Sequence, residues 1–436
     1  MKLLEQILGR RNIEKAIQQV KSNGGSAGVD GMKVEALEEF FSKNYQTIAT
    51  HIRQGTYQPQ KVSGIEIPKP DGRKRLLGIP TVIDRVIQQS IHQVLSPLYE
   101  RDFSDFSYGF RPKKSARQAV HQALDYINKG YQDIIDLDLK TFFDVVNHDY
   151  LMSLLYKRIK DERLLRLIRK YLKASMMLGG IESQRTEGTP QGSPLSPLLS
   201  NIILNELDKE LSRKGLKFVR YADDCSIFLT SKQSAKQELK QITEFIENKQ
   251  HLKVNTEKTK IVRPITYCIL GFNFISLYDK NRRGKYRLRV CPKSFNGLKQ
   301  KIKVITRKTD PTPTKEKIAK LNHLMKGWVN YFKDAAMQEK LKDLDPWVRS
   351  RIRYCIWKHW KKPDRRMRAY RQMGVKTGIA YAWSRSRMGG WAVAQSPMMR
   401  TTITLDRLKR IGYQSFSDYY LKVSPVLVNR LIPDGT

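Results

Sequence analysis

The sequence predicts an α+β protein in which helices alternate with antiparallel hairpins before a basic, helical C-terminal region. Three observations lead there. Apolar residues recur at helical spacing over long stretches, as in Leu4, Ile7, Leu8, Ile13, Ala16, Ile17 and Val20. Short runs with period-two apolar spacing are broken by turn residues, as over 217–229, where Asp223-Asp224 sits at the centre. Beyond about residue 280 the strand signals give way to basic helical segments rich in Trp, Arg and Tyr.

In chain order, residues 1 to about 22 read as helix. The Gly-rich stretch 23–31 lacks the Gly-Lys-Ser/Thr ending of a phosphate loop and reads as a connector. A second helix covers about 34–53. Residues 65–80 form a hairpin whose turn is Pro70-Asp71-Gly72. Lys69 and Arg75 flank that turn on opposite strands, where two cations either converge on one phosphate or stay solvated. A helix over 84–99 precedes an aromatic loop, 103–112, and another helix lies near 115–128. Residues 133–140 read as a buried strand, with Asp136 and Asp138 on one face and Ile135, Leu137 and Leu139 on the other. Residues 151–175 are mostly helix, Gly179-Gly180 turns a small hairpin, and Pro and Gly keep 188–197 irregular. Helices over 198–211 and 234–250 bracket the Asp223-Asp224 hairpin, and 268–274 reads as one strand. Farther on, Val348, Ile352, Ile356 and Trp360 make an apolar stripe with Arg349, Arg353, Lys361 and Lys362 beside it. From Ser424 onward the tail is expected to be flexible.

At 436 residues the chain is too long for one ordinary core. With 40% hydrophobic residues it has the material to fold. Its net charge of +39 repels itself unless a polyanion neutralises it. There is no apolar run long enough to span a bilayer and no signal peptide, so nucleic acid is the expected partner and a membrane is not. Cys225, Cys268, Cys291 and Cys355 form no Cys-x-x-Cys pair. Neither zinc nor a disulfide framework is expected from them, and a reducing cytosol is.

Asp223 and Asp224 repel one another at a hairpin tip, and Asp138 sits in an otherwise apolar strand. A divalent cation relieves both, whereas a bare Asp-Asp pair is ordinarily a solvated turn. The wider pattern decides between them. Asp-Leu-x-x-Phe-Phe-Asp from Asp138, Pro-Gln-Gly-x-x-x-Ser-Pro from Pro190, Tyr-Ala-Asp-Asp from Tyr221 and Leu-Gly-Phe from Leu270 occur in that order. In this order they resemble a reverse transcriptase. Ile-Pro-Lys-Pro-Asp-Gly, Tyr-Gly-Phe-Arg-Pro, Val-Asn-His-Asp (146–149), Arg-Tyr-Ala-Asp-Asp and Gly-Trp-Val-Asn-Tyr-Phe (327–332) are similar to the reverse transcriptase–maturases encoded within bacterial group II introns. The resemblance covers roughly residues 1–422.

The resemblance implies a right-hand polymerase: an N-terminal extension (1–31), fingers and an antiparallel palm (32–280), a helical thumb (285–365), a small basic DNA-binding region (366–422) and a tail (423–436). It implies RNA-directed DNA synthesis with two Mg2+, for which Mn2+ is an expected substitute. Asp138, Asp223 and Asp224 are then the catalytic acids and metal ligands, with the Leu139 carbonyl as a further ligand and Asp136 and Asp144 as runners-up. Lys69 and Arg75 would clamp the triphosphate. Phe143 would exclude a ribose 2′-hydroxyl, and Gln191 and Gly192 would floor the nucleotide site. Arg111, Tyr221, Arg349 and Arg353 are expected on template or primer. Implied partners are an RNA template, the intron RNA, a DNA primer or target and dNTPs, in a bacterial cytoplasmic, nucleoid-associated ribonucleoprotein. No Cys follows Cys355 and no His follows His359, so a metal-binding endonuclease domain is not expected. The alternatives are a free-standing domesticated reverse transcriptase and an RNA-binding maturase with little polymerase activity. An RNA-directed RNA polymerase shares the palm, but a bulky Phe143 argues against it.

Overall fold

Turn chemistry and the alternation of buried residues set the strands. In the computed structural model, which describes residues 2–68, 72, 74–277 and 284–425, these are β1 (Val62–Pro68), β2 (Lys74–Ile79), β3 (Asp133–Leu137), β4 (Met176–Leu178), β5 (Ile181–Ser183), β6 (Lys217–Tyr221), β7 (Asp224–Leu229), β8 (Lys260–Val262), β9 (Cys268–Ile269), β10 (Phe272–Ser276) and β11 (Tyr286–Val290). The chain divides into two units, 1–264 and 265–436. The division falls upstream of the change in composition near residue 280.

The first unit holds two four-stranded sheets. One runs β2-β1-β4-β5: β1 pairs antiparallel with β2, and its start pairs parallel with β4 through Val62 and Met176. The other runs β6-β7-β3-β8 and is antiparallel throughout. Ile135, Leu137, Phe218 and Ile227 of this second sheet are buried in one core with Leu199, Ile203 and Leu207 of the helix Ser196–Arg213. Residues at three- and four-residue spacing on one helix meeting alternate residues of a sheet is the packing that the two periodicities dictate. The N-terminal helix Arg10–Asn23 buries Ile13, Ala16, Ile17 and Val20 against Val82 and Val86 of the helix Val82–Glu100.

The second unit begins with the sheet β11-β10-β9 and continues as helices. The longest, Gln338–His359, buries Leu341, Leu344, Val348 and Ile352. Asp345 on the same helix is buried and accepts from the backbone N–H groups of Phe416 (2.8 Å) and Ser417 (3.0 Å). It therefore satisfies the open end of the helix Phe416–Val423 from outside that helix.

Three expectations need correction. The stretch 268–274 is two strands, because Leu270 (φ +50°) and Gly271 (φ +82°) turn the chain between β9 and β10. The helix expected over 151–175 is two helices, His148–Arg158 and Glu162–Lys173, the second capped by Asp161. Cys268 and Cys291 form a disulfide, contrary to the reading of four unpaired thiols. The folding of β9, β10 and β11 onto one another brings together cysteines that are 23 residues apart. Cys225 and Cys355 are free and buried.

Candidate active site

Register places the acids. Leu137 of β3 pairs with Cys225 of β7, so the next residues outward on the two strands are Asp138 and Asp224. Tyr221 of β6 pairs with Asp224, leaving Ala222-Asp223 as a two-residue turn. Such turns need a positive φ, and Ala222 adopts φ +58° at a cost of roughly 1–2 kcal/mol. The loop before Arg111 supports it. Arg220 donates its N–H to the Phe106 carbonyl (2.9 Å), and Tyr108 donates to the Arg220 carbonyl (2.8 Å). Gly109 then lies so close to Ala222 that a Cβ there would stand 2.3 Å from the Ala222 nitrogen. This is why the aromatic loop needs glycine at that point.

Asp138 is cradled by a turn that the sequence did not single out. Its Oδ2 accepts from Asn255 Nδ2 (2.8 Å) and lies 3.6 Å from Lys258 Nζ. Its backbone N–H donates to Thr259 Oγ1 (3.1 Å), and its carbonyl accepts from the Asn255 N–H (2.8 Å). The four acids form one electrostatic group. Burial pushes Asp136 up to about 6, with the Asp224 and Asp138 charges adding to it. Asp224 is also pushed up to about 6, first by the crowded walls around its carboxyl, although the residue itself is open to water at the turn. Asp223 and Asp138 raise it further, while Lys258 and Arg75 pull it back. Arg75 on β2 thus acts on the acids, as its sign requires. Lys69 lies outside the described residues.

Phe143 stands beside a cavity of about 650 Å3 whose lining also includes Ile79, Arg85, Phe110, Gln191 and Gly192. Its backbone is fixed by the loop that carries Gln191. The Thr189 N–H donates to the Phe143 carbonyl (2.7 Å), and the Gly188 N–H donates to the Val146 carbonyl (2.8 Å). Gly192 (φ +118°) is required by a neighbouring backbone: a Cβ would meet the Gly78 carbonyl oxygen at 2.8 Å. Gly24, Gly25 and Ser26 line the same cavity. The stretch expected as a plain connector therefore walls the site, held there by Arg85, which donates to the Gly24 (3.4 Å) and Ser26 carbonyls.

Two expected template contacts are engaged elsewhere. Arg111 is buried: its guanidinium pairs with Glu100 (2.8 Å), donates to the Ser107 carbonyl (2.8 Å) and lies over the Phe103 ring. These bonds tie the two ends of the aromatic loop together. In the second unit, Arg353 is buried and donates through Nε to the Ile403 carbonyl (3.0 Å). Burial, with Arg349 and Arg400 nearby, pushes it down to about 10. Arg349 is half-buried beside Tyr413, whose hydroxyl donates to Asp345. Charge alone does not reveal whether an arginine is solvated or is satisfying buried carbonyls.

Among the described residues, no group of three or more His, Cys, Asp or Glu forms a ready-made metal cage. Mg2+ does not need one, since it takes one or two carboxylates plus substrate phosphates. The crowding that raises Asp136 and Asp224 is a donor set that fits such an ion.

Comparison with known proteins identifies the family. Residues 67–274 match the family described as "Reverse transcriptase (RNA-dependent DNA polymerase)". Residues 295–374 match the "Group II intron, maturase-specific domain". Protein YkfC of Escherichia coli is 32% identical over 300 residues, which cover 59% of this chain and 77% of YkfC. The Group II intron-encoded protein LtrA of Lactococcus lactis is 38% identical over 209 residues, covering 47% of this chain and 34% of LtrA. Among solved structures, the partial Cas6-RT-Cas1–Cas2 complex is 26% identical over 60% of this chain and 44% of its own, at a TM-score of 0.37. With a polymerase match around the acids and a maturase match after it, the chain belongs to the reverse transcriptases of the group II intron-encoded family.

Proposed function

We propose that the chain extends a primer with deoxynucleotides on an RNA template, and that it also binds intron RNA to assist splicing and retrohoming. The observation that carries the polymerase reading is the β3–β7 register, which sets Asp138 beside the Asp223-Asp224 turn. In this reading Asp138, Asp223 and Asp224, with the Leu139 carbonyl, would hold two Mg2+. The ions supply charge to lower the pKa of the primer 3′-hydroxyl and to neutralise the triphosphate. The side chains do the rest. Asn255, Lys258 and Thr259 fix Asp138. Arg75, with Lys69, meets the negative triphosphate and stabilises charge as it shifts to the leaving group. Phe143 occupies the space of a 2′-hydroxyl, and Gln191 and Gly192 bound the nucleotide from the other side. Tyr221, at the base of the turn, faces the primer end.

The maturase-specific match over 295–374 favours an intron-bound enzyme over a free-standing one. No helix among the described residues is long and apolar enough to cross a membrane. The ribonucleoprotein we infer works in the bacterial cytoplasm.

Primer extension on an RNA template tests the reading. Asp138→Ala and Asp223→Ala are expected to abolish Mg2+-dependent extension while duplex binding stays near wild type. Extension that survives either change refutes the assignment of the acids.

A further inference from the structure

Directly behind the acidic turn lies an ion pair with no exposed surface. Arg220, one residue before Tyr221, meets Asp208 of the helix Ser196–Arg213 with Nε–Oδ1 at 2.8 Å and Nη2–Oδ2 at 2.6 Å. Its remaining nitrogen, Nη1, donates to Asn201 Oδ1 (2.9 Å) and to the Ala222 carbonyl (2.9 Å). Ala222 is the residue that carries the positive φ of the turn. Asn201 donates through Nδ2 to the Gly109 carbonyl (2.9 Å), and Gly109 is the residue that abuts the Ala222 nitrogen. The turn is therefore gripped on its carbonyl side by Arg220 and flanked on its amide side by Gly109. Both supports are rooted in the same helix.

A buried ion pair is weak grounds for stability, because desolvation cancels much of the attraction and an apolar pair of similar volume often serves as well. What an apolar pair lacks is the charged donor to the Ala222 carbonyl. The bidentate bond to Asp208 leaves the guanidinium plane no freedom, so Nη1 points in one direction only. A turn held this way resists the like-charge repulsion of Asp223 and Asp224, which would otherwise splay them.

We propose that Arg220, locked by Asp208 and Asn201, is the positioning residue of the catalytic turn, fixing the Ala222 carbonyl and so the direction in which Asp223 and Asp224 present their carboxylates. The inference rests on those two aspartates being the acids of the reaction.

The test is an Arg220→Met/Asp208→Leu double variant of the full chain, which fills the same space with apolar side chains. Melting temperature and duplex binding read the fold. Steady-state extension over a Mg2+ series reads the turn. The expected result is a near wild-type melting temperature, duplex affinity and KM for dNTP, with kcat reduced about 10²-fold and the half-saturating Mg2+ concentration raised. Asn201→Ser keeps the ion pair but loosens Arg220 Nη1 and the Gly109 tie. It is expected to lower kcat in the same sense by a smaller factor, and it decides the matter if the double variant does not fold. A folded double variant, or failing that an Asn201→Ser protein, with wild-type kcat and Mg2+ dependence overturns the proposal. Asp223→Ala, run alongside, separates the two readings. An inactive Asp223→Ala beside a fully active double variant removes only the positioning role. An active Asp223→Ala removes the acid assignment, and the positioning role with it.

Discussion

Phe143 is defined by its backbone as much as by its ring. The carbonyl is tied to Thr189, and the chain enters through Thr141 at φ +47°, so the ring has a fixed origin beside the cavity. Phe143→Val keeps that origin and removes bulk. Discrimination against ribonucleotides is then expected to fall roughly 10- to 200-fold, the range one small steric difference commands. Competition between dNTP and rNTP in single-nucleotide extension reads it directly, and unchanged discrimination refutes the gate. At this scale the juxtaposition of Asp138 with the Asp223-Asp224 turn was legible only through the order of the motifs, since a bare Asp-Asp pair is ordinarily a solvated turn. Asn255, Lys258 and Thr259 were not, because polar residues in a turn are ordinary and Asn255 lies 117 residues from Asp138. Arg111 and Arg353 misled for the opposite reason: both carry a charge that the sequence reads as outward, and both spend it on buried partners.

Elements were legible where local chemistry names them. Gly179-Gly180 turns β4 into β5, and Asp223 turns β6 into β7. They were not legible where a single backbone dihedral intervenes, as at Leu270, or where pairing is non-local. The Cys268–Cys291 bond shows the latter, since no short spacing announces it. It closes a loop over β10 and β11, with a sequence separation of 23, for which chain-entropy arguments give about 3 kcal/mol. Reduction is therefore expected to lower the unfolding free energy of the second unit by about that amount. Denatured oxidised protein should titrate two thiols, Cys225 and Cys355, and reduced protein all four. Four thiols in protein purified without reductant would show that the bond does not form.

For the whole molecule, the charge of +39 is the most informative quantity in the sequence and the least specific. It announces a polyanion without saying where the polyanion sits. RNA affinity is expected to drop steeply with salt, by about 10³- to 10⁵-fold between 50 and 200 mM if six to ten phosphates are contacted. Filter binding across that range measures the slope, and a flat response excludes the basic surface as the grip. The order of the polymerase and maturase parts along the chain was legible because each carries its own motif. Their contact boundary at Pro264–Ile265 was not, since β9 and β10 read as continuing the strands before them, when β9 pairs with β10 and β10 with β11 in a separate sheet.

The β3–β7 ladder has a consequence for how this protein tolerates change in length. Asp138 faces Asp224 only because five consecutive pairs, Asp133 with Leu229 through Leu137 with Cys225, are counted off without interruption. Insertion or deletion of one residue within either strand would exchange the two faces of everything beyond it and turn an acid toward the core. Between the strands, the chain passes through loops and helices whose length the ladder does not count. Mutational scanning by single-residue insertion should therefore find activity lost abruptly within 133–138 and 223–229 and retained at the loop around Gly215. The spacing of these acids is protected by arithmetic along two short strands, and length is free to vary in an exposed turn such as that at Gly215, where a Cβ would meet nothing.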